Sequence, residues 1–319
     1  MVTNYQRNVY ELGKKVICAM ETSPTTYPTK ESYWDNWFPY AFALFYKLAN
    51  KGLRPQSFAD IGTGAGTVAM GAAGIFDGIN SIDLTDVGSE DLELAERNLR
   101  KFYDGNINIR IGHLTQPLEN CVDIAFLNLP IIPTNEKVSG KDAWSFYTIN
   151  DKMIFPDYVK KYFLQSYCEA IHDAKGKISK EGMIIMEIGG RFPYHHLESI
   201  VNEAGLEIVD SVAGFKRQTE PWDVLQDFAW AERNLRVEFD FYRHGDAIGY
   251  LATINPNYPN LPDLNLKGSE LKKKHRLGKF RVSARHALEI YQLDAKYKVP
   301  DVEMHIGHVV HVIALKKKL

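Results

Sequence analysis

The stretch Asp60-Ile-Gly62-Thr-Gly64-Ala-Gly66 constrains this chain more than any other. It lies between "SFADIG", which reads as a buried strand, and "GTVAMGAAGI", which reads as a helix. Glycines at alternate positions let the backbone turn tightly at a strand end and come close to a ligand. The spacing departs from the dinucleotide pattern Gly-x-Gly-x-x-Gly, because position 67 is Thr and Gly66 comes one residue early. Asp86 ends the next strand-like run, "NSIDLTDV", at 20 residues past Gly66. A carboxylate there can accept hydrogen bonds from both hydroxyls of a ribose.

Strands and helices alternate from that point. "SEDLELAERNLRKF" reads as a helix with Ser89 as its N-cap and Leu92, Ala95 and Leu99 on one core-facing stripe. "INIRIG" and "VDIAFLN" read as strands, and "PDYVKKYFLQSYCEAIHDAKGKI" as one helix. "GMIIMEIG" reads as a buried strand, "YHHLESIVNEAG" as a helix ending at Gly205, and "LEIVDSVAGF" as a strand. Such alternation predicts an α/β fold, a mostly parallel sheet with helices on both faces. Two runs before it, "NVYELGKKVICAM" and "WFPYAFALFYKLAN", carry apolar residues at helical spacing. After it, "DVLQDFAWAERNLRVEFDFYR" reads as a sheet-closing strand with an antiparallel partner. "EMHIGHVVHVIALKKKL" reads as a strand with a basic tail. The expected division is an N-terminal helical lid over 1–52, a core over 53–235 and a C-terminal elaboration over 236–319.

Composition narrows the partners. A net charge of -2 over 319 residues gives no global electrostatic reason for binding nucleic acid or an anionic membrane. The basic stretch 267–281 lacks interleaved aromatics and reads as a solvated face, so nucleic acid is not an expected partner. Cys18, Cys121 and Cys168 are far apart and odd in number, which suits a reducing compartment. No apolar run approaches the ~18 residues of a membrane span, and the first residues lack a leader-like apolar stretch. The expectation is a soluble, cytoplasmic protein. His305, His308 and His311 fall on alternating faces of a strand, and the adjacent His195 and His196 point two ways. Neither group predicts a metal.

The Gly-rich turn, Asp86 and Asn128-Leu129-Pro130 after the fourth strand together resemble class I S-adenosylmethionine-dependent methyltransferases, over about residues 53 to 230. The resemblance implies a Rossmann-like doubly wound sheet of seven strands, mostly parallel. It also implies S-adenosylmethionine as methyl donor, no metal, and donor contacts from Asp60, Gly62, Gly64, Gly66, Asp86 and Asn128. His113 stands near the place where the family often carries an acid that contacts the adenine amino group.

Families that methylate amide nitrogens, such as the release-factor glutamine methyltransferases, continue Asn-Pro-Pro-Tyr and stack the aromatic on the amide. Here Leu129 and Ile131 remove that stack. "GMIIMEIGGRFPYHHLESIVNEAGLEI", "FAWAERNLRVEFDFYRHGDAIGYLAT" and "RVSARHALEIYQL" resemble the methyltransferase region of methionine S-methyltransferases. That resemblance implies a small amino-acid substrate, L-methionine, converted to S-methylmethionine with release of S-adenosylhomocysteine. The alternative is an N-methyltransferase of protein glutamine or another nitrogen. A thioether is neutral and loses no proton on methylation, so in-line attack needs alignment and no base. Asn128 is the expected catalytic residue by positioning. Tyr33, Trp34, Trp37, Pro130, Tyr147 and Arg191 are the expected acceptor-side residues, with Arg191 placed to clamp a carboxylate.

Overall fold

A computed structural model of the chain describes residues 10–12, 15–17, 36–101, 103–131, 133, 153–218, 221–254, 277–297 and 306–318. The expected acceptor-side residues Tyr33, Trp34 and Tyr147 lie outside this set, as do His305 and positions 267–276 of the basic stretch. The first described elements are strands β1 (Tyr10–Leu12) and β2 (Lys15–Ile17), paired antiparallel where the periodicity predicts a helix.

Helix α1 (Phe38–Asn50) opens with Pro39, whose missing N–H costs nothing in a first turn. It buries Phe38 through Phe45 almost completely. Phe45 meets Phe58 and Phe126 edge-on at 5.9 Å each, a burial worth roughly 1.5–3 kcal/mol. Tyr40 lays its ring in the space that Gly214 leaves, and its hydroxyl donates to Phe215 O. Lys47 and Lys51 pair with Asp210 at 2.7 and 2.5 Å. This helix is therefore a fixed part of the core.

The alternating unit then runs β3 (Ser57–Ile61), α2 (Thr67–Ile75), β4 (Ser81–Asp86), α3 (Ser89–Leu99), β5 (Asn106–Ile111) and β6 (Val122–Leu127). It continues with α4 (Asp157–Lys161), α5 (Gln165–Lys175), β7 (Ile178–Gly189), α6 (Tyr194–Glu203) and β8 (Leu206–Arg217). The chain ends with α7 (Pro221–Leu235), β9 (Phe241–Arg243), α8 (His244–Ile254), β10 (Arg281–Val282), α9 (Ala284–Lys296) and β11 (Ile306–Lys317). The main sheet has nine strands where seven are expected: the order is β10-β9-β11-β7-β6-β3-β4-β5, with β8 on the other flank of β11. The added pair, β9 and β10, comes from the C-terminal elaboration. Strands β3 to β7 are parallel, whereas β11 runs antiparallel to both β7 and β8.

Chain order reverses at β3, which has β4 on one side and β6 on the other, so a crevice opens at their carboxyl ends. Alternation along each strand divides the core into two faces. Phe58, Phe126 and Ile185 meet α1, α2 and α3, and Leu92, Ala95 and Leu99 face them as the stripe predicts. Ala59, Leu127, Ile184 and Met186 meet α4, α5 and α6.

Three local expectations are corrected. Gly88, and not Ser89, is the N-cap of α3. The single helix expected after residue 155 is two, because Phe163 takes φ 58° between them. Tyr162 and Phe163 there reach Phe239, with ring centroids 5.5 and 6.5 Å away, a contact from the far end of the chain that offsets the cost of a left-handed residue. The strand expected at 223–235 is helix α7: Val224, Leu225, Phe228 and Ala229 repeat at helical spacing, and only Phe241–Arg243 pairs as a strand.

Buried Glu232 on α7 binds this C-terminal layer together. It accepts from Phe239 N (2.9 Å), Ala284 N (2.9 Å) and Arg285 N (3.0 Å), the last two being open N–H groups at the start of α9. Glu232→Ala is expected to cost at least about 3 kcal/mol, since it strands several charge-assisted donors. Glu232→Gln should retain part of this. Denaturant unfolding measures it, and a loss below about 1 kcal/mol for the alanine variant contradicts the assignment.

Candidate functional site

Gly62, Gly64 and Gly66 take φ of 70°, 51° and 79° in the turn after β3. Only glycine adopts such values without strain, and at Gly66 a Cβ would also press on the backbone of Ala95 at 3.1 Å. The turn is fixed from several sides. Gly62 N and Thr63 N donate to Thr85 O at 2.9 and 3.0 Å, and Asn98 Nδ2 donates to Ala65 O at 3.0 Å.

Asp60 braces the same turn from beneath. Its Oδ2 accepts from Thr63 Oγ1 at 2.9 Å and from Ala69 N at 3.1 Å. The second bond satisfies an open N–H in the first turn of α2, whose N-cap, Gly66, has no side chain to do so. Burial, with a smaller push from the Asp86 charge, moves the Asp60 carboxyl up to about 7. Asp60, an expected donor contact, thus also supports the turn.

Asp86 ends β4 beside it. Oδ2 accepts from Gly64 N at 3.1 Å and Oδ1 from Gly88 N at 3.2 Å, so the carboxylate is held between two glycine turns. A carboxylate offers about four acceptor positions, so capacity remains for a ligand such as a diol. Burial raises its pKa, against backbone N–H bonds from Gly64, Gly88 and Val87. His113, after β5, places Nε2 3.2 Å from Glu169 Oε1 on α5.

Asn128 follows β6, half-buried, with no hydrogen-bond partner for its side chain among the described residues. Its loop is held by a residue that sequence reading missed. The buried Tyr167 hydroxyl accepts from Leu129 N at 2.8 Å, and its proton is shared between Leu129 O and Glu187 O at 2.7 and 2.6 Å. A buried tyrosine must find such partners, but nothing local in "QSYCEA" says which. Leu129 is buried and lies 3.6 Å from where a Gly62 Cβ would stand, so the Asn128 loop packs on the glycine turn. Pro130 is half-buried and Ile131 joins the second core.

Of the remaining expected acceptor-side residues, Trp37 and Arg191 are among the described ones. Trp37 packs edge-on against Phe38 at 5.9 Å, beside the first core. Arg191, after β7, lies over the rings of Phe228 and Phe241 at 5.2 and 5.9 Å, and its Nη2 meets Gln218 Oε1 at 2.9 Å and His308 Nε2 at 3.0 Å. These contacts make it a link between the sheet and the C-terminal layer. His308 and His311 are buried, with Tyr194 edge-on to His311 at 5.0 Å. Among the described residues no group of His, Cys, Asp or Glu is arranged to hold a metal, and no helix is long and apolar enough to cross a membrane.

No family model and no curated protein matches the sequence. Solved structures overlap it loosely. A candidate methyltransferase of Bacillus halodurans is 12% identical, with 86% of this chain and 99% of that one covered at a TM-score of 0.44. The ribosomal protein L11 methylase of Lactobacillus delbrueckii subsp. bulgaricus is 16% identical, with 53% and 70% covered at 0.38. The N-methyltransferase NodS of Bradyrhizobium japonicum is 11% identical, with 56% and 88% covered at 0.37. Overlaps this loose set no residue of this chain against a known site.

The buried acid under the turn has a pH signature. A carboxyl raised to about 7 keeps its proton in the folded chain at pH values where the unfolded chain has released it. Its contribution to stability is complete below about pH 4, falls as pH rises to about 7, and is level above that, a loss on the order of 4 kcal/mol. Denaturant titrations of wild type and Asp60→Asn across that range isolate it: the stability difference should move against wild type as pH rises. A constant difference would rule out a buried acid with this pKa.

Proposed function

We propose that the chain is an S-adenosylmethionine-dependent methyltransferase whose acceptor is the thioether of L-methionine. The observation that carries the donor assignment is Asp86, held by Gly64 N and Gly88 N at the crevice edge with acceptor positions to spare. Two hydroxyls of a ribose match those positions, while the Gly62–Gly66 turn brings backbone close enough for the amino-acid end of the donor. Asn128, across the crevice on the neighbouring strand, then stands beside the transferable methyl.

The acceptor assignment rests on what surrounds Asn128. Leu129 and Ile131 both turn into the second core, so neither presents a planar face to an amide. A thioether needs none. Its lone pair attacks the donor methyl in line, the donor S–CH₃ bond breaks, and the positive charge passes to the new sulfonium with no proton lost. Asn128 aligns the two sulfurs and moves no proton.

Two measurements test the proposal. Asp86→Ala should raise the dissociation constant for S-adenosylmethionine at least about tenfold in calorimetric titration, as expected for charge-assisted bonds of ~1.5–3 kcal/mol, and unchanged affinity in the folded variant removes Asp86 from the site. Mass spectrometry of reactions with L-methionine, a release-factor glutamine peptide and RNA should show S-methylmethionine rising in step with S-adenosylhomocysteine. Methylation of the peptide without methionine turnover replaces sulfur by nitrogen as the acceptor.

A further inference from the structure

Glu187 is 1% exposed, and neither carboxylate oxygen has a hydrogen-bond partner. Unpartnered buried polar atoms are rare in folded chains because each carries its full desolvation cost, and a missing ligand is one of their explanations. The register of the sheet says where this one points. Leu127 of β6 is level with Met186 of β7, so Asn128 and Glu187 are the next neighbours at the carboxyl edge. Side chains alternate, and Phe126 and Ile185 face the first core, which sets Asn128 and Glu187 on that same face. Asn128 is half-buried and is the nearer of the two to solvent on that face.

The groups around Glu187 leave it as an acceptor of positive charge. Its partner across β11 is the apolar Val312. Lys216 on β8 is near enough to favour the ionised acid, yet its Nζ is directed to Arg217 O at 3.1 Å, and no ammonium reaches hydrogen-bonding distance of the carboxylate. His308 is level with Lys216, and burial together with Arg191 and Lys216 keeps it neutral. Burial raises the Glu187 pKa well above the usual carboxylate range, a cost that an incoming cation offsets.

We propose that Glu187 binds the α-ammonium of the amino acid whose sulfur is methylated beside Asn128, an assignment that rests on the methionine reading. A thioether alone offers no polar handle. The ammonium of methionine has three donors for the two free oxygens, and it lies four bonds from the sulfur, about 5 Å when extended. Neighbouring strands are about 4.8 Å apart, so an acceptor lying across β6 and β7 sets its nitrogen at Glu187 and its sulfur at Asn128.

The test compares L-methionine with 4-(methylthio)butanoate, which keeps the thioether and carboxylate and lacks the ammonium. Wild type should favour methionine at least about tenfold in kcat/KM. Glu187→Gln should lower kcat/KM for methionine at least about tenfold, through KM, and leave the analogue unaffected. Its affinity for S-adenosylhomocysteine should be unchanged, which reports an intact donor site. A variant with that affinity and undiminished preference for methionine overturns the anchor while leaving the methionine reading in place. Wild type that methylates neither compound overturns both. Should Glu187→Gln lose donor binding, wild type decides with N-acetyl-L-methionine: turnover equal to that of methionine overturns the anchor, and turnover at least about tenfold poorer supports it.

Discussion

Three left-handed glycines within five residues form the constraint on which the rest of this structure depends. A turn of that shape has no side chains of its own to hold it, so its neighbours do so. Thr85 O takes two of its N–H groups, Asp86 a third, Asn98 reaches its carbonyl at residue 65, and Asp60 supports it from below. Four residues from three elements thus converge on one turn. The cost of burying Asp60 without a full charge partner is borne because the acid also closes the open end of α2.

That rigidity passes to the neighbouring strand. Leu129 packs over Gly62, and Tyr167 ties both polar groups of Leu129 to β7. Asn128 therefore hangs from a loop anchored to the glycine turn on one side and to β7 on the other. For a reaction in which no proton moves, alignment is the main thing a protein can contribute, and effective concentrations from good alignment are large. The side chains that hold the backbone here are buried and polar, and the ones that face the crevice, Asp86 and Asn128, have acceptor or donor capacity left.

Much of this was legible in the sequence for a simple reason. Parallel strands buried on both faces read as unbroken apolar runs, so 57–61, 81–86, 122–127 and 178–189 stand out, and the glycine spacing marks the turn between the first of them and its helix. What stayed hidden depends on partners distant in the chain. Phe163 breaks a good helical pattern because Phe239 is there to receive it, Tyr167 looks like any core tyrosine until Leu129 is beside it, and Glu232 gains its role only when residues 284 and 285 arrive. Gly88 displaces Ser89 as cap because Asp86 already holds its N–H. Arg191 reads as a carboxylate clamp at the edge of its strand, and nothing local announces the two aromatic rings from α7 and β9 that meet it.

The central claim is that the crevice between β3 and β6 receives the donor, with its ribose at Asp86 and its amino-acid end over the glycine turn. A crystal structure with S-adenosylhomocysteine tests this most directly. The account predicts both ribose hydroxyls within hydrogen-bonding distance of the Asp86 carboxylate and the thioether sulfur facing Asn128. Density for the ligand at any other place, or none at saturating concentration, would contradict it.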